Sequence, residues 1–156
     1  MDYDSDDDRM TMAEQLAEHD PSAAAAAFRA IARDHAVDDD VRLEAASRLP
    51  EVDEAAAADA FRAIARDHAV DDDVRLEAAS RLPDLDEAAA ADAFQAIARD
   101  HGVGDDLRSD AAEQLARLDP RAAAGFFHRA ADDRPRGYRF GGATMLHPPR
   151  PPRPPR

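Results

Sequence analysis

The chain of 156 residues is strongly acidic, with 34 Asp and Glu residues against 20 arginines, no lysine and a formal net charge of −14. It contains no cysteine, which excludes disulfides, thiolate metal ligands and cysteine nucleophiles. Only eight residues are aromatic and none is tryptophan, so we expect tightly packed, alanine-faced helices rather than a core of large side chains.

The charge is unevenly distributed along the chain. Residues 134–156 contain six arginines and no acidic residue, whereas the preceding 133 residues carry 14 arginines against all 34 acidic residues. Binding to a phosphate backbone needs clustered cations, so nucleic acid is an unfavourable partner for the body and remains a candidate only for the tail. No signal peptide and no apolar run of roughly 20 residues is found, so we expect a cytoplasmic protein with no membrane partner.

A 33-residue period organises most of the sequence. The stretch 38–70 returns almost unchanged as 71–103, and looser copies precede and follow it. We place four repeats at 5–37, 38–70, 71–103 and 104–136, which is typical of a stacked-repeat architecture. Two of the sets that mark the period are Phe28, Phe61, Phe94 and Phe127, and Arg9, Arg42, Arg75 and Arg108.

The first half of each repeat predicts one helix. In the second repeat this helix is expected from about Asp40 to Leu49, with Asp38–Asp40 supplying the N-cap and first-turn negative charge, and Pro50 at its end. The residues predicted to share its buried stripe are Val41, Ala45, Ala46 and Leu49.

The second half of each repeat predicts another helix. It is expected to start after Asp53, a cap candidate, and to run to about His68. Its predicted buried residues are Ala57, Phe61, Ile64 and Ala65, together with His68 or Val70. The first and last repeats depart from the pattern, as end-capping repeats do, and a piece cut from a longer array is the alternative.

Three segments lie outside the predicted repeats. Residues 1–4 are expected to be disordered, and residues 137–147, GYRFGGATMLH, form either a cap on the last repeat or a docking element. Residues 148–156, PPRPPRPPR, predict a stiff polyproline II tail with Arg150, Arg153 and Arg156 on one face. We interpret it as a solvated, disordered tail; contact with the acidic body or with another acidic protein, and recognition by an SH3-type domain, are the alternatives.

The residues give no support to catalysis or to metal binding. His35, His68 and His101 recur at the period, but parallel side chains on helices about 8–10 Å apart do not converge to the roughly 2.0–2.1 Å that zinc needs. The aspartate triplets at 38–40 and 71–73 lack the glycine turn and distal glutamate of a calcium loop. No candidate nucleophile is paired with a base. We therefore predict no enzyme, no metal and no cofactor.

The segment DDDVRLEAASRL at 38–49 resembles the D-x-x-V-R-x-x-A-A-x-x-L signature of short bacterial HEAT-like repeats, and the four copies cover residues 5–136. The resemblance implies an all-α, right-handed α-solenoid of four helical hairpins, with one helix layer lining a groove. Asp40 and Arg42 match the family's Asp–Arg pairing approximately, since they lie two residues apart here. In the HEAT-like register the partner-binding residues would be Arg42, Glu44, Ser47, Arg48, Arg75, Glu77, Ser80, Arg81 and Arg108.

The function predicted from these features is a protein–protein interaction scaffold that binds an extended partner in its groove. The pattern is also similar to the alanine-rich repeats associated with bacterial signalling NTPases of the STAND type, which implies a regulatory or sensor segment as the alternative. No G-x-x-x-x-G-K-[ST] loop occurs in the chain, so such an NTPase would be a separate protein or a missing portion. Nucleic-acid binding through the tail is a third hypothesis, and it predicts that affinity falls steeply as the salt concentration rises.

Overall fold

The computed structural model of the chain describes residues 5–124. Every regular element in this range is helical, so the prediction of an all-α protein is confirmed there. The segments predicted at 1–4, 137–147 and 148–156, and the fourth repeat beyond residue 124, lie outside the described residues.

Between residues 5 and 118, seven α-helices and one 3₁₀ turn follow one another. The helices that open the repeats, called first helices here, are α1 (Asp6–His19), α3 (Asp39–Arg48), α5 (Asp72–Ser80) and α7 (Asp105–Leu118). The second helices are α2 (Pro21–Arg33), α4 (Glu54–Arg66) and α6 (Glu87–Arg99). Helical backbone resumes at residue 120 and continues to residue 124.

Aspartate caps set the start of each second helix. The carboxylates of Asp20, Asp53 and Asp86 each accept a hydrogen bond from the amide three residues on, at 3.0, 3.0 and 2.9 Å. Such a cap satisfies an amide that the helix leaves unpaired and is worth about 1 kcal/mol. In the first-helix layer, Asp38 caps α3 by accepting from the Asp40 amide at 3.0 Å. The sequence therefore indicated the right caps.

The helix ends differ slightly from the prediction, and local hydrogen bonds explain why. Helix α3 ends at Arg48 because a 3₁₀ turn, Leu49–Glu51, accommodates Pro50. Helix α4 ends at Arg66 rather than near His68, because the Asp67 side chain accepts the Ala69 amide at 3.0 Å and turns the chain.

Large side chains at the 33-residue period form the centre of the core. Phe28, Phe61 and Phe94 are buried, and so are the leucines at 49, 82 and 115. Fully buried alanines fill the space between them, which lets neighbouring helices approach closely. All four predicted core residues of α4 are buried. Val70, not His68, completes that set.

Helices pack against their neighbours in chain order and against the helix one place further on. First helices touch first helices, as in α3 against α5, and second helices touch second helices, as in α2 against α4 and α4 against α6. Equivalent side chains therefore recur from one helix pair to the next. Within residues 5–124, no helix combines the length and apolar character that crossing a membrane requires.

Candidate interaction surface

A buried arginine joins three helices at each internal repeat. The Arg42 side chain is only 4% exposed. Its Nε donates to the Ala32 carbonyl at 3.2 Å, at the end of α2. Its Nη2 donates to Asp67 Oδ2 at 3.1 Å, after α4, and its Nη1 donates to Asp39 Oδ1 at 3.4 Å. One guanidinium group thus binds the preceding repeat and both helices of its own.

The same arrangement recurs 33 residues on. Arg75 donates through Nε to the Ala65 carbonyl at 3.4 Å and through both terminal nitrogens to Asp100 Oδ2 at 3.2 Å. Its Nη1 also lies 3.0 Å from Asp72. Because the two arginines bind the same three equivalent partners, the network belongs to the repeat unit.

These contacts correct the expected placement of Arg42 and Arg75. The two arginines are almost fully buried, so they are not exposed on the first-helix surface where a partner was expected to bind. Asp40 is not the partner of Arg42, because residues two apart point to different sides of a helix. The partners are Asp39, three residues earlier on the same face, and Asp67, which follows the second helix.

Asp34, Asp67 and Asp100, the aspartate row, are held as carboxylates. Burial raises the pKa of Asp67, but the hydrogen bond from the Ala69 amide and the Arg42 guanidinium outweigh it, so the pKa lies below its ordinary value. The amide two residues on is the main cause of the lowered pKa of Asp34 and of Asp100, and the arginine of the same repeat lowers it further. The row therefore stays negatively charged into mildly acidic solution.

The recurring histidines pair with this row across repeat boundaries. His35 Nδ1 lies 2.9 Å from Asp67 Oδ2, and His68 Nδ1 lies 3.0 Å from Asp100 Oδ2. Both imidazoles are more than 70% exposed. Among residues 5–124, no group of three or more histidine, aspartate and glutamate side chains is arranged to hold a metal ion.

The remaining predicted site residues of α3 and α5 lie at or near the surface. Arg48 Nη2 lies 3.0 Å from Glu14 on α1 and 3.8 Å from Glu44, and Arg81 lies 3.1 Å from Glu77. These four α3 and α5 side chains are about half exposed. Each therefore remains accessible to a partner despite its ion pair.

Ser47, Ser80 and Arg108 complete the predicted set within the described residues. Each serine hydroxyl donates to the carbonyl four residues earlier at 2.9 Å, so neither hydroxyl is free to donate elsewhere. Arg108 pairs with Asp105 at 2.9 Å, and its buried Nε has no hydrogen-bond partner among residues 5–124. The tail arginines Arg150, Arg153 and Arg156 lie outside the described residues.

Two crevices open between consecutive first helices. Crevice 1, between α1 and α3, has a volume of about 360 Å³ and is lined by Glu14, Ala17, Phe28, Arg48, Glu51 and Val52. Crevice 2, between α3 and α5, has a volume of about 200 Å³ and is lined by Ser47, Pro50, Phe61, Arg81, Asp84 and Leu85. Every residue of crevice 2 is the residue of crevice 1 shifted by 33 positions.

The crevices combine three kinds of chemistry. A phenylalanine of the second helix forms part of the lining, Val52 or Leu85 adds an aliphatic side chain, and an arginine and an acidic residue complete it. Sequence reasoning treated Phe28 as a marker of the period and Phe61 as a core residue, and it overlooked Val52 and Leu85. The 33-residue shift would have grouped these residues, but only the packing of the first helices shows that a space lies between them.

Comparison of the chain with protein-family models, with curated proteins and with solved structures gave no match.

Proposed function

We propose that the chain is a HEAT-like, right-handed α-solenoid of four repeats at 5–136, and that it acts as a protein–protein interaction scaffold. The partner lies across the first helices and inserts side chains into crevice 1 and crevice 2. The packing of first helices on first helices, and of second helices on second helices, supports this architecture.

The observation that carries the function is the repetition of one crevice at the sequence period. Stacked helices are about 8–10 Å apart, and an extended peptide advances about 3.3 Å per residue. An extended partner therefore reaches the next crevice about every third residue and can use the same type of contact twice. A globular partner with a single anchor would use one crevice and gain nothing from the second.

The chemistry of the crevices defines the anchor. The phenylalanine and aliphatic lining favours a medium-sized apolar side chain such as leucine, whose burial is worth about 1.5–3 kcal/mol. Arg48 and Arg81 offer guanidinium donors beside it, and arginine is one of the residues enriched at binding hot spots. The partner sequence expected is therefore an apolar residue repeated every third position, next to a hydrogen-bond acceptor.

A site-specific cross-link tests this placement. A photo-reactive amino acid is introduced at Ser47, which lines crevice 2, and separately at Ala55, an exposed position on α4. Irradiation in a native lysate should give a discrete adduct from position 47 and not from position 55. Equal labelling from both positions would show that the crevices are not preferred.

Charge reversal then tests the arginines that line the two crevices. Once a partner is in hand, Arg48→Glu and Arg81→Glu together should weaken its affinity by at least tenfold, because two donors become repulsive carboxylates. Unchanged affinity in this double variant would refute the assignment of the first-helix surface.

A further inference from the structure

The second helices carry a row of arginines that the proposed function does not use. Arg33, Arg66 and Arg99 occupy equivalent positions in the last turns of α2, α4 and α6, and all three are exposed. One turn earlier, Arg29 pairs with Asp53 at 3.3 Å and Arg62 pairs with Asp59 at 2.7 Å. The row is therefore distinct from its neighbours on the same helices.

Arg33 and Arg66 have no carboxylate within 4.0 Å among the described residues, although acidic residues greatly outnumber arginines there. A positive charge in the last turn is favoured by the helix dipole, typically by about 0.3–1 kcal/mol. That accounts for a cation at each helix end. The dipole does not provide hydrogen-bond acceptors for the guanidinium N–H groups, and Arg29 and Arg62 on the same helices donate theirs to carboxylates.

Arg33 and Arg66 face a common cleft of about 370 Å³, called the arginine cleft here. It is lined by Arg33, His35, Arg42, Ala63, Arg66 and Asp67. The three arginines outweigh the single carboxylate, so the cleft has a formal charge of +2 when His35 is neutral. It is a local positive site in a chain whose net charge is −14.

The one carboxylate that lines the cleft, Asp67, already accepts hydrogen bonds from other groups of the protein. Asp67 accepts from Arg42 at 3.1 Å and from the Ala69 amide at 3.0 Å, and His35 Nδ1 lies 2.9 Å away. Arg42 is likewise fixed by its three bonds. Arg42 and Asp67 together add no net charge to the cleft, so Arg33 and Arg66 supply the donors for a ligand.

The residues of this cleft recur one repeat further on. Arg66, His68, Arg75, Arg99 and Asp100 stand 33 positions after their counterparts, with the Arg75–Asp100 pair at 3.2 Å and His68 at 3.0 Å from Asp100. Because α2, α4 and α6 pack on one another in order, the arginine row advances by about 8–10 Å per repeat. Arg66 is shared between consecutive positions.

We propose that the arginine row is a second interaction surface, and that it binds an extended peptide segment with acidic side chains about three residues apart. The planar guanidinium fork matches a carboxylate in a bidentate geometry. Three residues of polyproline II chain span about 9.3 Å, which agrees with the spacing of the row. This surface lies on the second helices and is independent of the crevices between the first helices.

A polyphosphate is a poorer fit than an acidic peptide. Its affinity depends on the number of cations that neutralise phosphates, and only three arginines form the row. The many carboxylates of the surrounding repeats repel a continuous polyanion. A peptide that places single carboxylates at the arginines, with uncharged residues between them, avoids this repulsion.

Fluorescence anisotropy with a labelled peptide of four Pro-Pro-Glu triplets tests the proposal on the full chain. A peptide of four Pro-Pro-Gln triplets is the control ligand, and a 12-nucleotide oligo-dT is the competing anion. Saturable binding of the glutamate peptide is expected at 20 mM salt, with weaker binding at 150 mM because salt screens exposed charges. The glutamine peptide should bind at least tenfold more weakly.

Three variants locate the binding. Arg33→Gln with Arg66→Gln should weaken glutamate-peptide binding at least tenfold. Arg62→Gln with Arg29→Gln removes the same charge from the same two helices and should change it less than twofold; Gln95 already occupies the equivalent position in α6. Arg33→Lys with Arg66→Lys keeps the charge but loses the fork, so an intermediate affinity is expected.

Far-UV circular dichroism should be unchanged in all three, because the substituted side chains are at the surface. The proposal is overturned if the glutamate peptide does not bind saturably, if the two glutamine variants lose affinity equally, or if oligo-dT binds more tightly than the peptide.

Discussion

Replacing Asp67 with asparagine should destabilise the fold by about 2–3 kcal/mol. Asparagine has nearly the same shape and keeps an oxygen for the Ala69 amide, so the turn after α4 is retained. The negative charge opposite Arg42 is lost. Arg42 is then left with its guanidinium buried and only Asp39, at 3.4 Å, as a carboxylate partner.

The magnitude follows from the burial of the two partners. Breaking a fully buried ion pair costs about 3–5 kcal/mol, and one hydrogen bond to a charged group contributes about 1.5–3 kcal/mol. The Arg42 side chain is 4% exposed, but the Asp67 side chain is 15% exposed, so water and Asp39 compensate in part. The expected cost therefore lies at about 2–3 kcal/mol, within the range for one hydrogen bond to a charged group.

The matched control is Asp59→Asn in the same repeat. Asp59 pairs with Arg62 at 2.7 Å, but the two side chains are 53% and 45% exposed, and such pairs contribute at most about 0.5–1 kcal/mol. Urea unfolding of the full chain at pH 7, followed at 222 nm, compares the two variants. The reasoning is refuted if their free energies of unfolding agree within 0.5 kcal/mol.

A second substitution identifies the cause of the destabilisation. If the loss in Asp67→Asn comes from an uncompensated buried charge, then adding Arg42→Met should restore part of the stability, because methionine fills the site without a charge. A double variant less stable than Asp67→Asn by the full cost of Arg42→Met would contradict this explanation.

Acid should weaken the fold through the aspartate row. Because the folded-state pKa values are lowered, the unfolded chain takes up protons first as the pH falls below about 4; the stability from the row is complete above that pH and is lost on further acidification. The difference in urea midpoint between wild type and Asp67→Asn should therefore shrink from pH 5 to pH 3, and a constant difference would contradict the pKa assignment. Phe61→Ala should cost about 3–5 kcal/mol and Met12→Ala less than 0.5 kcal/mol in the same assay, because the first side chain is buried and the second is exposed; equal costs would contradict this description of the core. Deleting residues 71–103 should preserve mean residue ellipticity and cooperative unfolding, whereas deleting 71–92 should not, and similar behaviour of the two deletions would refute the 33-residue unit.

The period and the caps made most of the local structure predictable. Asp53, Pro50 and the buried stripe of α4 are signals that act over a few residues, so each can be read from its neighbours along the chain. The helix ends moved by one or two residues because side-chain turns such as that of Asp67 compete with the last helical turn.

The placement of Arg42 could not be predicted in the same way. A charged residue followed by leucine and alanines on an amphipathic helix is usually at the surface. Its burial depends on a carbonyl ten residues earlier and on Asp67, 25 residues later, which only tertiary packing brings together. The crevices and the arginine cleft are likewise spaces between helices. The 33-residue period groups the residues that line them, but it does not predict that a space lies between those residues.

The central proposal is that recognition occurs on the repeats, and affinity capture from a native lysate tests it most directly. The full chain, a 1–136 truncation and the Arg48→Glu/Arg81→Glu variant are compared by quantitative mass spectrometry of the bound proteins. The proposal predicts that one specific partner is retained by the truncation and lost by the variant. A partner that is lost with residues 137–156 and retained by the variant would contradict it, and would place recognition in the tail instead.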